Sequence, residues 1–176
     1  MLDHRFAVDL RWTGSRGVGT TSYRAYGRDL VLSAEGKHAI EGSAARAFHG
    51  DADRWNPEEL LLAALAECHL LSYLYVAASA GVVVLDYEDA ASCTLERDDA
   101  GGGRITSATL RPRVVVADAS TADRAAELHA EAARSCFVAA SVAFPVHHEP
   151  TTVVALPGEH PARGGPACGR LVASPS

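Results

Sequence analysis

The pattern of apolar and polar residues changes several times along the chain, and each change predicts an element. Apolar and polar residues alternate over residues 6–12, which is typical of a half-buried strand. Residues 60–85 are apolar at nearly every position, which predicts a long buried helix that ends near residue 80. A second helix is predicted over residues 121–140, with Ser120 as its cap. Further strands are predicted at residues 20–26, 29–33, 82–87, 90–97, 105–116 and 146–156.

The start of the long helix carries several local signals. Asn56 is a favourable N-cap, and Pro57 suits the first helical position because its missing N–H is not needed there. Glu58 and Glu59 then place carboxylates in the first turn, where they favour the positive end of the helix dipole. Gly81 and the valines after it predict the end of the helix and the start of a strand.

By length alone, the apolar run at residues 60–85 could cross a membrane. Glu67 and His69 lie within it, and an ionised group at the centre of a bilayer is costly. The flanks carry acidic residues and no excess of Lys or Arg. We therefore predict a helix buried in protein and no membrane association.

Runs of strands are separated by two helices, and this order predicts an α+β fold. The chain has 176 residues and a mass of 18.5 kDa, which suits one domain, predicted over residues 1–156. Residues 157–176 are rich in Gly and Pro and lack an apolar period, so we predict a disordered tail.

Charge and cysteine content limit the classes of function that the chain can have. The net charge is −6 and no basic cluster is present, so nucleic acid is not an expected partner. The first residues contain no apolar signal region, which leads us to expect a cytoplasmic protein. Four cysteines without CxxC spacing are, in a reducing compartment, more typical of free or redox-active thiols than of structural disulfides.

Three sequence blocks then stand out in order along the chain. The first is Arg16-Gly-Val-Gly-Thr, after the first strand, and the second is Asn56-Pro-Glu-Glu-Leu, followed by Cys68 in the long helix. The third surrounds Cys136 and reads Ala-Ala-Arg-Ser-Cys-Phe-Val. Over residues 5–155 the chain resembles the OsmC/Ohr family of osmotically inducible and organic-hydroperoxide-resistance proteins.

The resemblance implies a thiol-dependent peroxidase that reduces organic hydroperoxides. Cys68 matches the peroxidatic cysteine and Cys136 the resolving cysteine, while Arg16 and Glu58 match the charged pair beside the thiolate. The family fold has antiparallel sheets wrapped around a long central helix, in an intertwined homodimer. The expected reductant is a dithiol, such as a lipoyl group, and no cofactor is expected.

The residue types suit this chemistry. A thiolate is the nucleophile toward a peroxide, and a nearby Arg can offset the cost of burying its charge. A second cysteine can trap the resulting sulfenic acid as a disulfide before further oxidation occurs. No His or Cys pair shows the spacing of metal ligands, so no metal site is predicted.

Two positions depart from the family pattern and indicate a less characterised branch. Phe137 follows Cys136 where Pro is frequent, and His69 follows Cys68 where other branches carry Phe. We expect His69 to bond Glu67 or to polarise a subunit interface. Two alternatives to the peroxidase stay open: an OsmC-like ligand-binding or interaction protein with an unused thiol pair, and a hydrolase that uses Cys68.

Helix geometry adds an expectation about assembly. Glu58 and Cys68 are ten residues apart on one predicted helix, which separates them by about 15 Å along the axis and about 80° around it. A Glu side chain cannot reach across that distance. If both residues serve one site, Glu58 must come from the partner subunit of a homodimer.

Overall fold

The computed structural model describes residues 3–156, and the predicted tail at residues 157–176 lies outside them. Two compact units divide between Leu65 and Ala66, and one helix, α1 (Pro57–Ser79), continues through the division. The organisation of residues 1–156 as a single domain therefore stays a prediction.

The ends of α1 follow from local sequence. The backbone N–H of Glu59 donates to Asn56 Oδ1 at 2.9 Å, and the Asn56 N–H donates to the Glu59 carboxylate at 3.3 Å, which forms a reciprocal capping box. At the other end Gly81 adopts φ 73°, and the N–H of Val82 donates to the carbonyl of Ala77 at 2.9 Å. The predicted start at Pro57 and end near residue 80 are both confirmed.

The first unit contains one antiparallel sheet with the strand order β1-β2-β3. Its strands are β1 (Asp9–Trp12), β2 (Leu30–Ser33) and β3 (Ile40–Gly42). The strand predicted at residues 20–26 is wrong, because that segment forms turns. The Arg28 guanidinium donates to the carbonyls of Tyr23 and Tyr26 and lies over both rings, which holds the segment in its turns.

The second unit contains two three-stranded sheets, ordered β4-β7-β9 and β5-β6-β8. Their strands are β4 (Val84–Asp89), β5 (Ser92–Arg97), β6 (Gly103–Leu110), β7 (Pro112–Val116), β8 (Val146–His148) and β9 (Thr151–Val154). β4 pairs with β7 and β5 pairs with β6, both in the antiparallel sense. The expected antiparallel pairing is found for these strands, but the two sheets are mixed, because β8 runs parallel to β6 and β9 runs parallel to β7.

Two predicted strands are each divided between these two sheets. The strand predicted at residues 105–116 breaks at Arg111, whose N–H donates to Asp89 Oδ1 at 2.7 Å instead of to a ladder. The strand predicted at residues 146–156 breaks at Glu149 and Pro150. Because Pro lacks an N–H, Pro112 and Pro150 mark the points where each chain segment leaves one sheet for the other.

The second helix, α2 (Ala122–Ser135), is shorter than the predicted range of 121–140. Ser120 is not its cap: Asp118 accepts a hydrogen bond from the Ser120 N–H at 2.8 Å and begins a short 3-10 turn before the helix. Cys136 has extended backbone angles and follows the last helical residue. The core of the second unit consists of Tyr73, Ala77, Val82, Val114, Val116, Ala125, Leu128 and Ala132.

Helix α1 is long and apolar enough, by length and composition, to cross a membrane. The core helix of a soluble protein meets the same criterion, and one face of α1 is of that kind. His69, Tyr73 and Ala77 on this face are each at most 1% exposed. Leu71 and Tyr75 lie on the other side and are exposed, so part of the apolar surface of α1 is uncovered in the single chain.

Candidate active site

Two free thiols meet where α1 passes the end of α2. Cys68 lies within α1 and is partly exposed, whereas Cys136 directly follows α2 and is 2% exposed. The two side chains are joined by a hydrogen bond. The Ala139 N–H also donates to Cys136 Sγ at 3.4 Å, so the buried sulfur is held from both sides.

The environment of Cys136 keeps its thiol protonated. Burial, and then the hydrogen bond to Cys68, raise the pKa of Cys136 to about 11. At neutral pH Cys136 is therefore a neutral S–H beside Cys68. The arrangement places a protonated thiol directly beside a more accessible one, in reach of disulfide formation once the accessible thiol has been oxidised.

The two predicted charged residues belong to the first unit. Arg16 is exposed in the turn between β1 and β2, next to Gly17 at φ 87°. Glu58 lies in the first turn of α1, and its Oε2 atom is buried without a hydrogen-bond partner in the part of the chain that the structure describes. Arg16 and Glu58 form no ion pair with each other within residues 3–156.

Glu58 and Cys68 lie on one unbroken helix. Ten residues of α-helix rise about 15 Å, so the Glu58 carboxylate cannot reach the thiol of its own chain. Of the four predicted site residues, the structure brings the two cysteines together within the second unit.

A histidine cluster, formed by His69, His129 and His148, lies beside the two cysteines. This cluster was not predicted from the sequence. His69 is 0% exposed and His129 is 3% exposed, and His69 Nε2 lies 3.0 Å from His129 Nδ1. The His148 ring packs against His69 at 4.4 Å between centroids, and Tyr73 stacks on His129 at 4.1 Å. The expectation that His69 bonds Glu67 is wrong, because Glu67 is exposed and His129 is the partner.

The cluster is neutral at physiological pH. Burial, with smaller contributions from His148 and His129, lowers the pKa of His69 to about 3. Burial and His148 lower the pKa of His129 to about 4, and burial also lowers the pKa of His148. Each neutral imidazole has one donor and one acceptor. The shared bond uses one nitrogen of each ring, so His69 Nδ1 and His129 Nε2 stay buried without hydrogen-bond partners among residues 3–156.

Neutral imidazoles are common metal ligands. Within residues 3–156, no group of three or more His, Cys, Asp or Glu side chains has an arrangement that could hold a metal ion.

Comparison with known proteins assigns the family. Residues 50–151 match the family model described as OsmC-like protein, and the chain belongs to that family. No curated protein matches this chain.

Solved structures share the fold over most of the chain. An OsmC-like protein of unknown function from Vibrio cholerae is 29% identical, with a TM-score of 0.75, over 85% of this chain and 99% of its own. An organic hydroperoxide resistance protein from Legionella pneumophila is 15% identical, with a TM-score of 0.63, over 88% of this chain and 100% of its own. The organic hydroperoxide resistance protein of Bacillus subtilis is 21% identical, with a TM-score of 0.56, over 84% of this chain and 98% of its own.

Proposed function

We propose that the protein is a cysteine-based peroxidase that reduces organic hydroperoxides. The observation that carries the proposal is the pair of contacting free thiols in a chain of the OsmC family, one accessible and one buried. Cys68 is the peroxidatic cysteine and Cys136 the resolving cysteine.

The reaction divides into two steps. The Cys68 thiolate attacks the terminal oxygen of the hydroperoxide, the O–O bond breaks, and one proton completes the released alcohol while Cys68 becomes a sulfenic acid. The sulfur of Cys136 then attacks the sulfenic sulfur, a disulfide forms, and the hydroxyl leaves as water with the Cys136 proton. A dithiol reductant, for which a lipoyl group is the expected class, restores both thiols and leaves as a disulfide.

The surface beside Cys68 supports an organic substrate. Leu71 and Tyr75 follow Cys68 by three and seven residues on α1, which places all three on one helix face. Their side chains are 59% and 74% exposed. An apolar rim of this kind favours an alkyl or aryl hydroperoxide over hydrogen peroxide.

We also propose a homodimer that completes the site. Glu58 cannot reach the Cys68 of its own chain, and its buried Oε2 atom has no partner within residues 3–156. A second copy packed on the exposed face of α1 would cover Leu74 and place the apolar rim of Leu71 and Tyr75 between the two subunits. In such a dimer Glu58 and Arg16 act at a thiol as a charged pair, and Arg16 stabilises the Cys68 thiolate. We place this protein in the cytoplasm, with no cofactor, nucleic acid or membrane partner.

The test is hydroperoxide consumption with a dithiol reductant. Wild type and Cys93→Ser should consume cumene hydroperoxide, Cys68→Ser should not, and Cys136→Ser should stop after forming one sulfenic acid per chain. If wild type loses no thiols on adding one equivalent of hydroperoxide, the peroxidase is refuted and an OsmC-like ligand-binding or interaction protein is favoured. Ester turnover without thiol loss would instead indicate a hydrolase.

A further inference from the structure

We propose that the hydrogen bond between His69 and His129 is a positioning device that sets α2 against α1, so that Cys136 faces Cys68. This inference rests on the proposed function for its catalytic meaning, and it concerns residues that do not touch the substrate. The bond lies one residue from Cys68 on α1, and two helical turns from Cys136 on α2.

Apart from the histidine bond, α2 has one buried hydrogen bond to α1, from the Tyr73 hydroxyl to the carbonyl of Ala125, and its other buried contacts are apolar. Its buried side chains are Ala125, Leu128, His129 and Ala132, so three of the four are not histidine and two are alanines. Small apolar side chains interlock weakly, and apolar attraction has no preferred direction. A hydrogen bond forms only at a short distance and a favourable angle. The two ring nitrogens are 3.0 Å apart, which is a hydrogen-bond distance.

Neighbouring side chains hold each ring of the pair in place. Tyr73 stacks on His129 at 4.1 Å with 17° between the ring planes, and its hydroxyl donates to the carbonyl of Ala125 at 3.1 Å. On the other side, His148 of β8 packs against His69. The bond is thus held between α1, α2 and β8, and it does not depend on an exposed side chain.

The thiol pair is sensitive to this placement. A disulfide needs its two Cα atoms about 4.4–6.8 Å apart. A slip of α2 by one turn would move Cys136 by about 5.4 Å, which is enough to separate it from Cys68. With the histidine bond in place, the sulfur that must trap the sulfenic acid is already in contact with the sulfur that carries it.

The experiment compares four proteins: wild type, His129→Leu, His129→Asn and Tyr73→Phe. Leucine cannot hydrogen-bond, whereas the asparagine amide occupies the place of Nδ1 and restores a partner for His69 Nε2. Tyr73→Phe is the matched control, because it removes a buried hydrogen bond between the same two helices and keeps the aromatic ring that stacks on His129. Circular dichroism at pH 7 establishes that each variant is folded.

The main readout is the effective concentration of the Cys68–Cys136 disulfide, from its equilibrium with oxidised and reduced glutathione. We expect His129→Leu to lower it at least about tenfold, and Tyr73→Phe and His129→Asn to stay within about threefold of wild type. A second readout is the trapping of Cys68 sulfenic acid after one equivalent of hydroperoxide. His129→Leu should form this acid as fast as wild type but convert it to disulfide more slowly.

Three results would overturn the inference: an unchanged equilibrium in His129→Leu, an equal loss in Tyr73→Phe, or no recovery in His129→Asn. The glutathione equilibrium needs no peroxide. A wild-type protein that forms the disulfide but reduces no hydroperoxide would therefore refute the proposed function and leave the positioning role to be decided by the variants.

Discussion

Acidification should destabilise this fold through its buried histidines, and the structure gives the size of the effect. In the unfolded chain a histidine has a pKa near 6.5, whereas burial holds the pKa of His69 at about 3 and that of His129 at about 4. Between pH 6.5 and 4 the unfolded chain therefore binds protons that the folded chain excludes. Stability falls as pH falls through this window and is fully retained above it.

Below pH 6.5, each of these two histidines lowers the free energy of unfolding by about 1.4 kcal/mol per pH unit. At pH 5, which is 1.5 units below the unfolded pKa, each costs about 2 kcal/mol, and the pair costs about 4 kcal/mol. His148 acts in the same direction. Since domains are typically stable by about 5–15 kcal/mol, a loss of this size should be plain in a urea titration.

The assay is urea unfolding of wild type and His129→Leu at pH 7, 6 and 5, at one protein concentration. The leucine variant should be less stable at pH 7, because His69 Nε2 loses its partner. Its stability should nevertheless fall by about 2 kcal/mol less than that of wild type between pH 7 and pH 5, since one excluded proton has been removed. This difference is independent of the carboxylates, which both proteins share.

Tyr73→Phe is the matched control, because it removes a buried hydrogen bond between the same two helices and leaves every histidine in place. Its stability should fall between pH 7 and pH 5 by as much as that of wild type. A pH dependence of His129→Leu within about 0.5 kcal/mol of wild type would refute the reasoning, because it would mean that His129 is not excluded from protonation by the fold.

Four further predictions follow from the site and the fold. Mass mapping after one equivalent of cumene hydroperoxide should find a Cys68–Cys136 disulfide within one chain, and a dominant disulfide to another cysteine would contradict the assignment. Arg16→Ala or Glu58→Ala should slow Cys68 oxidation by a factor of about 10²–10³, which equals about 2–4 kcal/mol of activation free energy, in stopped-flow thiol assays. If both variants slow the oxidation less than about threefold, the role of the pair is structural. Asn56→Ala should cost about 1 kcal/mol in urea unfolding through loss of the helix cap, and an unchanged midpoint would count against the capping role. Sedimentation should find a homodimer, and mixing Cys68→Ser with Glu58→Ala chains should restore one working site per heterodimer; a stable active monomer, or no recovered activity, would argue against sharing between subunits.

The elements that the sequence predicts best are those that local chemistry decides. Asn56, Pro57 and Gly81 each act within a few residues of themselves, so both ends of α1 could be located from the sequence. The end of α2 lacks such a signal, since neither Gly nor Pro follows Ser135, and the prediction extended the helix too far.

Features that depend on distant partners could not be read in the same way. The parallel pairing of β7 with β9 has no signal in the local sequence, because the alternating pattern of a strand is the same whichever way its partner runs. His129 falls at a buried position of a regular helical pattern with Ala125 and Ala132, so its burial could have been predicted from the sequence. Its partner His69 is 60 residues away, and only the tertiary fold reveals that pair.

The parallel pairing has a consequence for how the chain folds. β6 and β7 precede α2 along the chain, whereas their parallel partners β8 and β9 follow it, so each pairing closes a loop that contains the whole helix. Closing such long loops is slow, because their entropy is lost before the contacts form. Cys136 lies inside both loops and Cys68 lies before them, so during synthesis the second thiol emerges well after the first. We expect the two sulfurs to meet only late in folding, which makes their pairing a reporter of the completed sheets.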